Sequence, residues 1–276
     1  METIFTKVFS NLEGFRRYLD NAKFNELFKD ENDRSSRTGR AYFTGTADYD
    51  TADGLLRDGD TENAKKLSAA SGNGLKSANG DGQRARRVSA VCGGAANVPA
   101  VLMGLPKSMI MQKKFVYKDS KVLNLVYSVS IGANIDADEI NRVSVNLVNA
   151  IMGIEKSGYR VNLYVCVCAE RKYTRRGSEY CNMFVRIKDS GQYMDVKKMA
   201  YPLVNPSMLR RHYFRFVETA ENIKDSSWVH TYGTPIKDVL KIQEFAKNAG
   251  INAKKAVTFY DVREKSAPDI MRLLLS

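Results

Sequence analysis

KVLNLVYSVSI (Lys121–Ile131), the loop GAN, IDADEINRVSVNLVNAIMGIEKSG and then RVNLYVCVC (Arg160–Cys168) form the stretch that decides the fold. The first segment is a nearly continuous apolar run rich in β-branched residues, which suits a strand covered on both faces. In the middle segment Ile140, Val143, Leu147, Ile151 and Ile154 recur at helical spacing and predict one apolar stripe. Asp136 is placed to cap that helix, with Glu139 three residues on in a capping-box position, and Gly158 to end it in a left-handed turn. The last segment is again β-rich. Strand, helix and strand in this span make a βαβ crossover, which joins parallel neighbours with a right-handed connection.

Downstream, AERKYTRRGSE (Ala169–Glu179) reads as a hairpin tip and YCNMFVRIK (Tyr180–Lys188) as its returning strand. A short helix, a proline-marked break and a second helix follow, with Met208, Tyr213, Phe216 and Val217 expected on the inner side of the second. SSWVHTYGTP reads as a strand entering a loop. In IKDVLKIQEFAKNAG, Ile236, Leu240, Ile242 and Phe245 are expected inward, with Gly250 ending the helix. Ala256–Tyr260 predicts a further strand and PDIMRLLLS a terminal helix.

Upstream the chain is harder to read. METIFTKVFSNLEGFRRYLD predicts an amphipathic helix with Phe5, Phe9, Leu12 and Leu19 on one side. DENDRSSRTGR reads as a loop. Two short helices follow, with Asp50 or Thr51 and then Thr61 as their caps. SGNGLKSANGDGQRARR (Ser71–Arg87) has the composition of a mobile linker and lacks the G-x-x-x-x-G-K-[ST] pattern of a phosphate loop. The proline-punctuated apolar segment after it, with a helical turn at Ala100–Met103 ended by Gly104, is expected to pack against the sheet. FVYKDSK reads as an antiparallel strand leading into the core. The expected division is an N-terminal helical and loop-rich elaboration over residues 1–115 and an α/β domain over 116–276.

The chain has 276 residues, 43 of them basic and 31 acidic, for a net charge of +12. That excess favours an anionic partner, whether DNA, RNA or an acidic protein surface. No run approaches the ~20 apolar residues that span a bilayer, and no leader pattern opens the chain, so a cytoplasmic protein with no membrane partner is expected. Cys92, Cys166, Cys168 and Cys181 form no C-x-x-C pair. Cys166 and Cys168 share a strand face, with Cys181 placed to lie across from them, either as buried core thiols or as a three-thiolate metal site.

Three basic groups are candidates for nucleic-acid contact: Arg84, Arg86 and Arg87; Arg171, Lys172, Arg175 and Arg176; Arg210, Arg211 and Arg215. Tyr173, Tyr213 and Phe214 interleave with them, as stacking on single strands would use. His212 sits among arginines on a helix, and His230 near a strand end where open α/β sheets place ligands. Neither comes with a nucleophile or base partner, so catalysis is not expected.

The order strand, loop, helix, strand, hairpin, then helices and strands resembles a von Willebrand factor type A domain, a Rossmann-like, mostly parallel sheet flanked by helices. That family ends its first strand in Asp-x-Ser-x-Ser. Here Ser128 and Ser130 stand at the serine positions, Val126 at the aspartate position, and Asp261 resembles the later metal-loop aspartate. The resemblance implies a divalent metal such as magnesium at Ser128, Ser130 and Asp261. Alternatively the two serines bond to backbone at a strand end. A second resemblance joins GTADYDTADGLLRDGDTENAKKL and ANVPAVLMGLPKSM to uncharacterised proteins of tailed bacteriophages and prophages, which implies a phage origin and host-cell cytoplasm. The expected function is a non-catalytic module binding a protein or nucleoprotein partner through loops at the carboxyl ends of the core strands. Low-specificity nucleic-acid binding stands second, and an enzyme using His230 or a residual metal site third.

Overall fold

The computed structural model describes residues 2–70, 86–92, 94–113, 121–132, 134–174 and 177–276. Among them lie nine strands: β1 (Glu2–Phe9), β2 (Arg86–Ala90), β3 (Ala95–Ala96), β4 (Met109–Lys113), β5 (Lys121–Ser128), β6 (Tyr159–Thr174), β7 (Gly177–Lys188), β8 (Thr234–Pro235) and β9 (Lys255–Thr258). The crossover forms as its sequence requires. β5 and β6 run parallel, Leu125 opposite Leu163 and Ser128 opposite Cys166, bridged by the helix Ala137–Lys156. Ile140, Val143, Leu147, Ile151 and Ile154 are all buried, each contributing about 1.5–3 kcal/mol relative to exposure. Asp136 caps that helix by accepting from Glu139 N at 2.7 Å, and Gly158 takes φ +94° beyond its end. Glu139 does not close a capping box; its carboxylate pairs with Arg263.

The central sheet has the order β1-β7-β6-β5-β9, with β8 added on β6. β1 with β7, β5 with β6 and β5 with β9 are parallel, while β7 and β8 run antiparallel to β6. The protein is thus a mixed α/β fold with a mostly parallel sheet flanked by helices. Val126, Cys166, Cys168, Tyr180 and Phe184 pack under the helix Val239–Asn248. In that helix Ile242 and Phe245 are inside with Ile236 ahead of them, but Leu240 faces solvent, contrary to its reading as an inward position. Trp228–Thr231, read as strand, is a turn of helix.

The chain's opening also corrects its reading. Glu2–Phe9 is an edge strand, Ile4 opposite Tyr180 and Phe9 opposite Val185. Positions four apart share a face in a strand as well as in a helix, so Phe5 and Phe9 fit both patterns. The β-branched and aromatic content of TIFTKVF decides between them. Asn11 then caps the helix Leu12–Asn21, accepting from Gly14 N at 2.7 Å. The two following helices, Tyr49–Asp58 and Thr61–Ala70, are capped by Asp48 and Asp60, each one or two residues before the expected cap.

The boundary at 115/116 is corrected in the same way. Residues 1–72 and 121–276 form one compact unit, because β1 completes the core sheet; Asn73–Ser120 forms the other. Within the smaller unit β2 and β3 flank β4, with Arg86 opposite Lys113 and Ala95 opposite Ile110. The turn of helix Val98–Leu102 and Gly104 at φ +64° occur where the sequence places them. Val98, Val101, Leu102, Met103 and Leu105 are exposed and Ala100 is buried. FVYKDSK, most of Ser71–Arg87, and Arg84, Arg175 and Arg176 lie at least partly outside the described residues.

Candidate functional site

Past Ser128 the chain leaves the sheet at the carboxyl edge of β5, held by Val129 N donating to Cys166 O at 3.0 Å. Ser130 stays at the edge: its Oγ lies 3.1 Å from Ser128 Oγ and accepts from Cys168 N at 3.2 Å. Ile131 and Gly132 then form one wall of a cavity of about 160 Å³. Val167 and Ala169 of β6 form its floor, Leu209, Arg210, Tyr213 and Phe214 a second wall, and Thr231–Gly233 with Pro235 the third. This is the edge at which open α/β sheets place their ligands.

Two features fix the walls. A turn of π-helix, Met208–Tyr213, aims Leu209 and Arg210 inward; such turns recur at functional sites. The other is the loop before β8. Trp228 Nε1 donates to Glu179 Oε2 at 2.9 Å, and Lys224 N and Asp225 N donate to the same carboxylate. Tyr232 is the one non-glycine at positive φ (+52°) among the described residues. Its ring stacks on Phe214 with centroids 3.9 Å apart. Its hydroxyl accepts from Ser35 N and donates to Glu218 Oε1, both at 2.8 Å. Burial raises the Glu218 carboxyl above its ordinary range, against the lowering effect of Ser36 and Tyr232.

Gly233 follows at φ +83°, where a Cβ would meet Trp228 Cζ3 at 2.5 Å and Ala169 Cβ at 2.9 Å. Gly233→Ala is therefore expected to cost about 1–3 kcal/mol through strain and overpacking. Urea unfolding reads the loss, and faster amide exchange confined to residues 228–235 would place it in this loop.

The cavity is mainly apolar, and Arg210 is the one charged side chain in its lining. Arg210 is 5% exposed; it donates to Phe43 O at 2.6 Å and Gly132 O at 3.4 Å, with its guanidinium 4.4 Å from the Phe43 ring centroid. Burial lowers its pKa, yet an arginine stays charged at neutral pH. A larger groove of about 590 Å³ runs beside β9 between Val239, Lys255, Tyr260 and Leu273. Its acidic side chain, Asp261, is committed to Thr258 N and Oγ1, both at 2.7 Å.

The residues expected to hold a divalent metal do not fit one. Val126 is a fully buried core side chain. The Ser128 and Ser130 hydroxyls satisfy each other and the backbone, and the Asp261 carboxylate closes the capping box of Phe259–Val262. Hard cations need several anionic oxygens. Among the described residues no group of three histidine, cysteine or acidic side chains is placed to hold a metal. The cysteine trio also dissolves. β6 pairs Ala169 with Cys181 and Cys168 with Asn182, so Cys181 faces the opposite side of the sheet from Cys166 and Cys168.

The arginines of the 208–217 segment are not a phosphate-facing surface, which corrects that expectation. Arg211 is fully buried and donates to Ser36 O, Gly39 O, Thr46 O and Ala47 O at 2.8–3.1 Å and to Thr46 Oγ1 at 2.7 Å. Arg215 donates to Leu19 O and Ala22 O. With Arg210 on Phe43 O, the three guanidiniums tie residues 19–47 to the core. Neighbouring His212 is equally buried, 2.7 Å from the Tyr201 hydroxyl through Nδ1. Burial, then the charge of Arg211, lowers its pKa to about 3. Of the hairpin group, Arg171 donates to Ser227 Oγ at 2.9 Å and Lys172 pairs with Glu170 at 2.9 Å. His230 is exposed on the turn before the cavity wall.

Of the residues that build the cavity, Arg210, Tyr213 and Phe214 were singled out by sequence, but for nucleic-acid contact; the others were not. Gly132 after the first core strand and the Tyr-Gly-Thr-Pro turn were the available signals; Phe43 and Leu209 offered none.

These features define a mixed α/β protein whose sheet carries a preorganised apolar cavity at its carboxyl edge. Its sequence family is the one described as Domain of unknown function (DUF7192): the family model matches residues 2–273, and the chain belongs to it. Comparison with curated proteins and with solved structures gives no match. No helix among the described residues is long and apolar enough to cross a membrane.

Proposed function

We propose that the core unit is a non-catalytic binding module that receives an apolar side chain of a protein or nucleoprotein partner in the cavity at the carboxyl edge of β5 and β6. The observation that carries this reading is the cavity itself, about 160 Å³ and walled by Ile131, Val167, Leu209, Phe214 and Pro235. That volume suits one aliphatic or aromatic anchor, the kind of group that dominates protein interfaces. Rigid walls reduce the entropy lost on binding.

Catalysis finds less support. His212 is buried and neutral, and neither it nor His230 has a nucleophile beside it. The von Willebrand A-like reading draws support from β5 lying between parallel β6, with antiparallel β7 beyond it, on one side and parallel β9 on the other. It serves here as a scaffold without the family's metal. Phage origin rests on the resemblance of residues 45–67 and 96–109 alone.

The test is a photo-crosslinking residue at exposed Thr231, on the cavity rim, in the full chain inside its native cells. One protein adduct is expected, absent when the crosslinker stands at exposed Leu240 and lost when Leu209→Trp fills the cavity. Leu209→Trp should keep the unfolding midpoint within a few degrees, because it fills space rather than displacing core. An adduct indifferent to that filling would rule the cavity out as the binding site.

A further inference from the structure

β9 ends the core sheet: among the described residues it pairs with β5 on one side and with no strand on the other. An edge strand presents a row of unpaired N–H and C=O groups. Here the edge borders the groove of about 590 Å³. Val239 and Gln243, on the helix Val239–Asn248, form one wall, and Leu273, on the helix Ala267–Leu275, forms the other. Ala256 packs into the core under the first helix. Lys255 and Val257 therefore turn toward the second, and Lys255 Nζ donates to Ser276 Oγ at its end, at 3.4 Å. The two helices thus flank the last strand on opposite faces of the sheet, with a slot between them. Lysines surround that slot. Lys255 and Lys265 line it, and Lys237 Nζ lies 4.4 Å from the ring centroid of Tyr260, a third lining residue. None of the three pairs with a carboxylate among the described residues. Asp261, the acidic lining residue, already accepts from Thr258 N and Oγ1.

We infer that β9 accepts an extended, acidic segment of a partner protein as one further strand of the sheet. In such strand addition the main-chain hydrogen bonds supply affinity and the flanking side chains supply specificity. Val239 and Leu273 offer apolar contact to side chains pointing to either face of the added strand. The lysines set the charge. Lys255 opens β9, while Lys237 and Lys265 lie around Tyr260, just past its end. Four residues at about 3.3 Å each separate these cations by roughly 13 Å, so the segment carries acids about four residues apart with β-branched residues between them. Residues four apart in a strand share a face, which lets both acids reach lysines. A second copy is the poorer occupant. Antiparallel pairing of β9 with itself would set the lysines of one copy against those of the other, and opposed like charges destabilise a pair of strands. A nucleic-acid strand would satisfy the lysines but brings no alternating N–H and C=O groups for the edge. The inference does not depend on the cavity, whose lining shares no residue with this groove.

The test uses the full chain and three pools of short capped peptides, randomised over valine, isoleucine and threonine between two fixed residues about four apart. The fixed pair is glutamate in the first pool and lysine in the second. The third is the glutamate pool with proline at its centre. In amide NMR spectra of the labelled chain, the glutamate pool should shift Lys255, Ala256, Val257 and Thr258 and slow amide exchange along β9. It should bind roughly tenfold tighter than the lysine pool, as two partly exposed ion pairs allow. That difference should shrink as salt rises. The proline pool should not bind, because proline removes an N–H from the ladder. Lys255→Glu with Lys265→Glu should reverse the preference between the first two pools. Neither lysine has an ion-pair partner to lose, so the melting temperature should hold. If it falls, Lys255→Gln with Lys265→Gln should abolish the preference instead. The inference fails if no pool shifts β9, if the central proline is tolerated, or if the preference survives the lysine substitutions. Shifts confined to Ile131, Val167 and Leu209 would also overturn it, while leaving the cavity reading in place.

Discussion

Arg211→Met should destabilise the chain by about 3–5 kcal/mol, the usual cost of removing one partner from a buried charged network. The guanidinium satisfies four backbone carbonyls and the Thr46 hydroxyl in a fully buried position. Methionine fills similar volume but leaves those acceptors facing an apolar chain, and each unsatisfied buried acceptor costs about 1–3 kcal/mol. Arg211→Lys should recover little, because one ammonium offers three donors where the planar fork reaches five acceptors. At roughly 2–4 °C per kcal/mol, the melting temperature should fall by about 6–20 °C. A surface arginine contacting phosphate would behave in the opposite way, losing nucleic-acid affinity with stability intact. A loss under about 1 kcal/mol, or full rescue by lysine, would contradict the buried role.

Acid should unfold this protein through His212. Its folded pKa of about 3 lies below the ordinary 6.5 because burial, and then Arg211, oppose the imidazolium. Below pH 6.5 the unfolded chain therefore takes up a proton that the folded chain refuses. Stability present above 6.5 is lost as pH falls toward the folded value, by about 1.4 kcal/mol per pH unit. Between pH 6.5 and 4.5 this amounts to about 3 kcal/mol. His212→Gln cannot titrate and still offers Tyr201 a polar partner, so the difference between parent and variant should shrink steadily across that window. Carboxylates shared by both proteins cancel in the comparison. A constant difference from pH 7 to 4.5 would show that His212 is solvated, and with it the 208–217 segment.

The crossover was legible because both of its periods are unambiguous. An uninterrupted β-branched run and five apolar residues at helical spacing admit one arrangement, and Asp136 and Gly158 mark the helix ends. β1 was not legible, since Phe5 and Phe9 satisfy a strand and a helix equally, and pairing with β7 some 175 residues away decides the matter. The arginines failed for a related reason. LRRHYFRF looks like a solvated basic helix. Only the fold shows that the loops of residues 19–47 deliver carbonyl oxygens to each guanidinium. Charge counted along a sequence carries no sign of that compensation. The cavity is a product of five separate segments, so no local pattern could announce it. Its position was foreseeable, because the carboxyl edge follows from the crossover itself.

The most direct measurement is a methyl NMR titration of the full chain, labelled at isoleucine, leucine and valine, with the partner segment recovered from the Thr231 crosslink. The cavity account predicts shifts centred on Ile131, Val167 and Leu209, with intermolecular contacts from a single apolar side chain. Shifts centred on Leu240 or Leu275, with those three methyls unmoved, would contradict it.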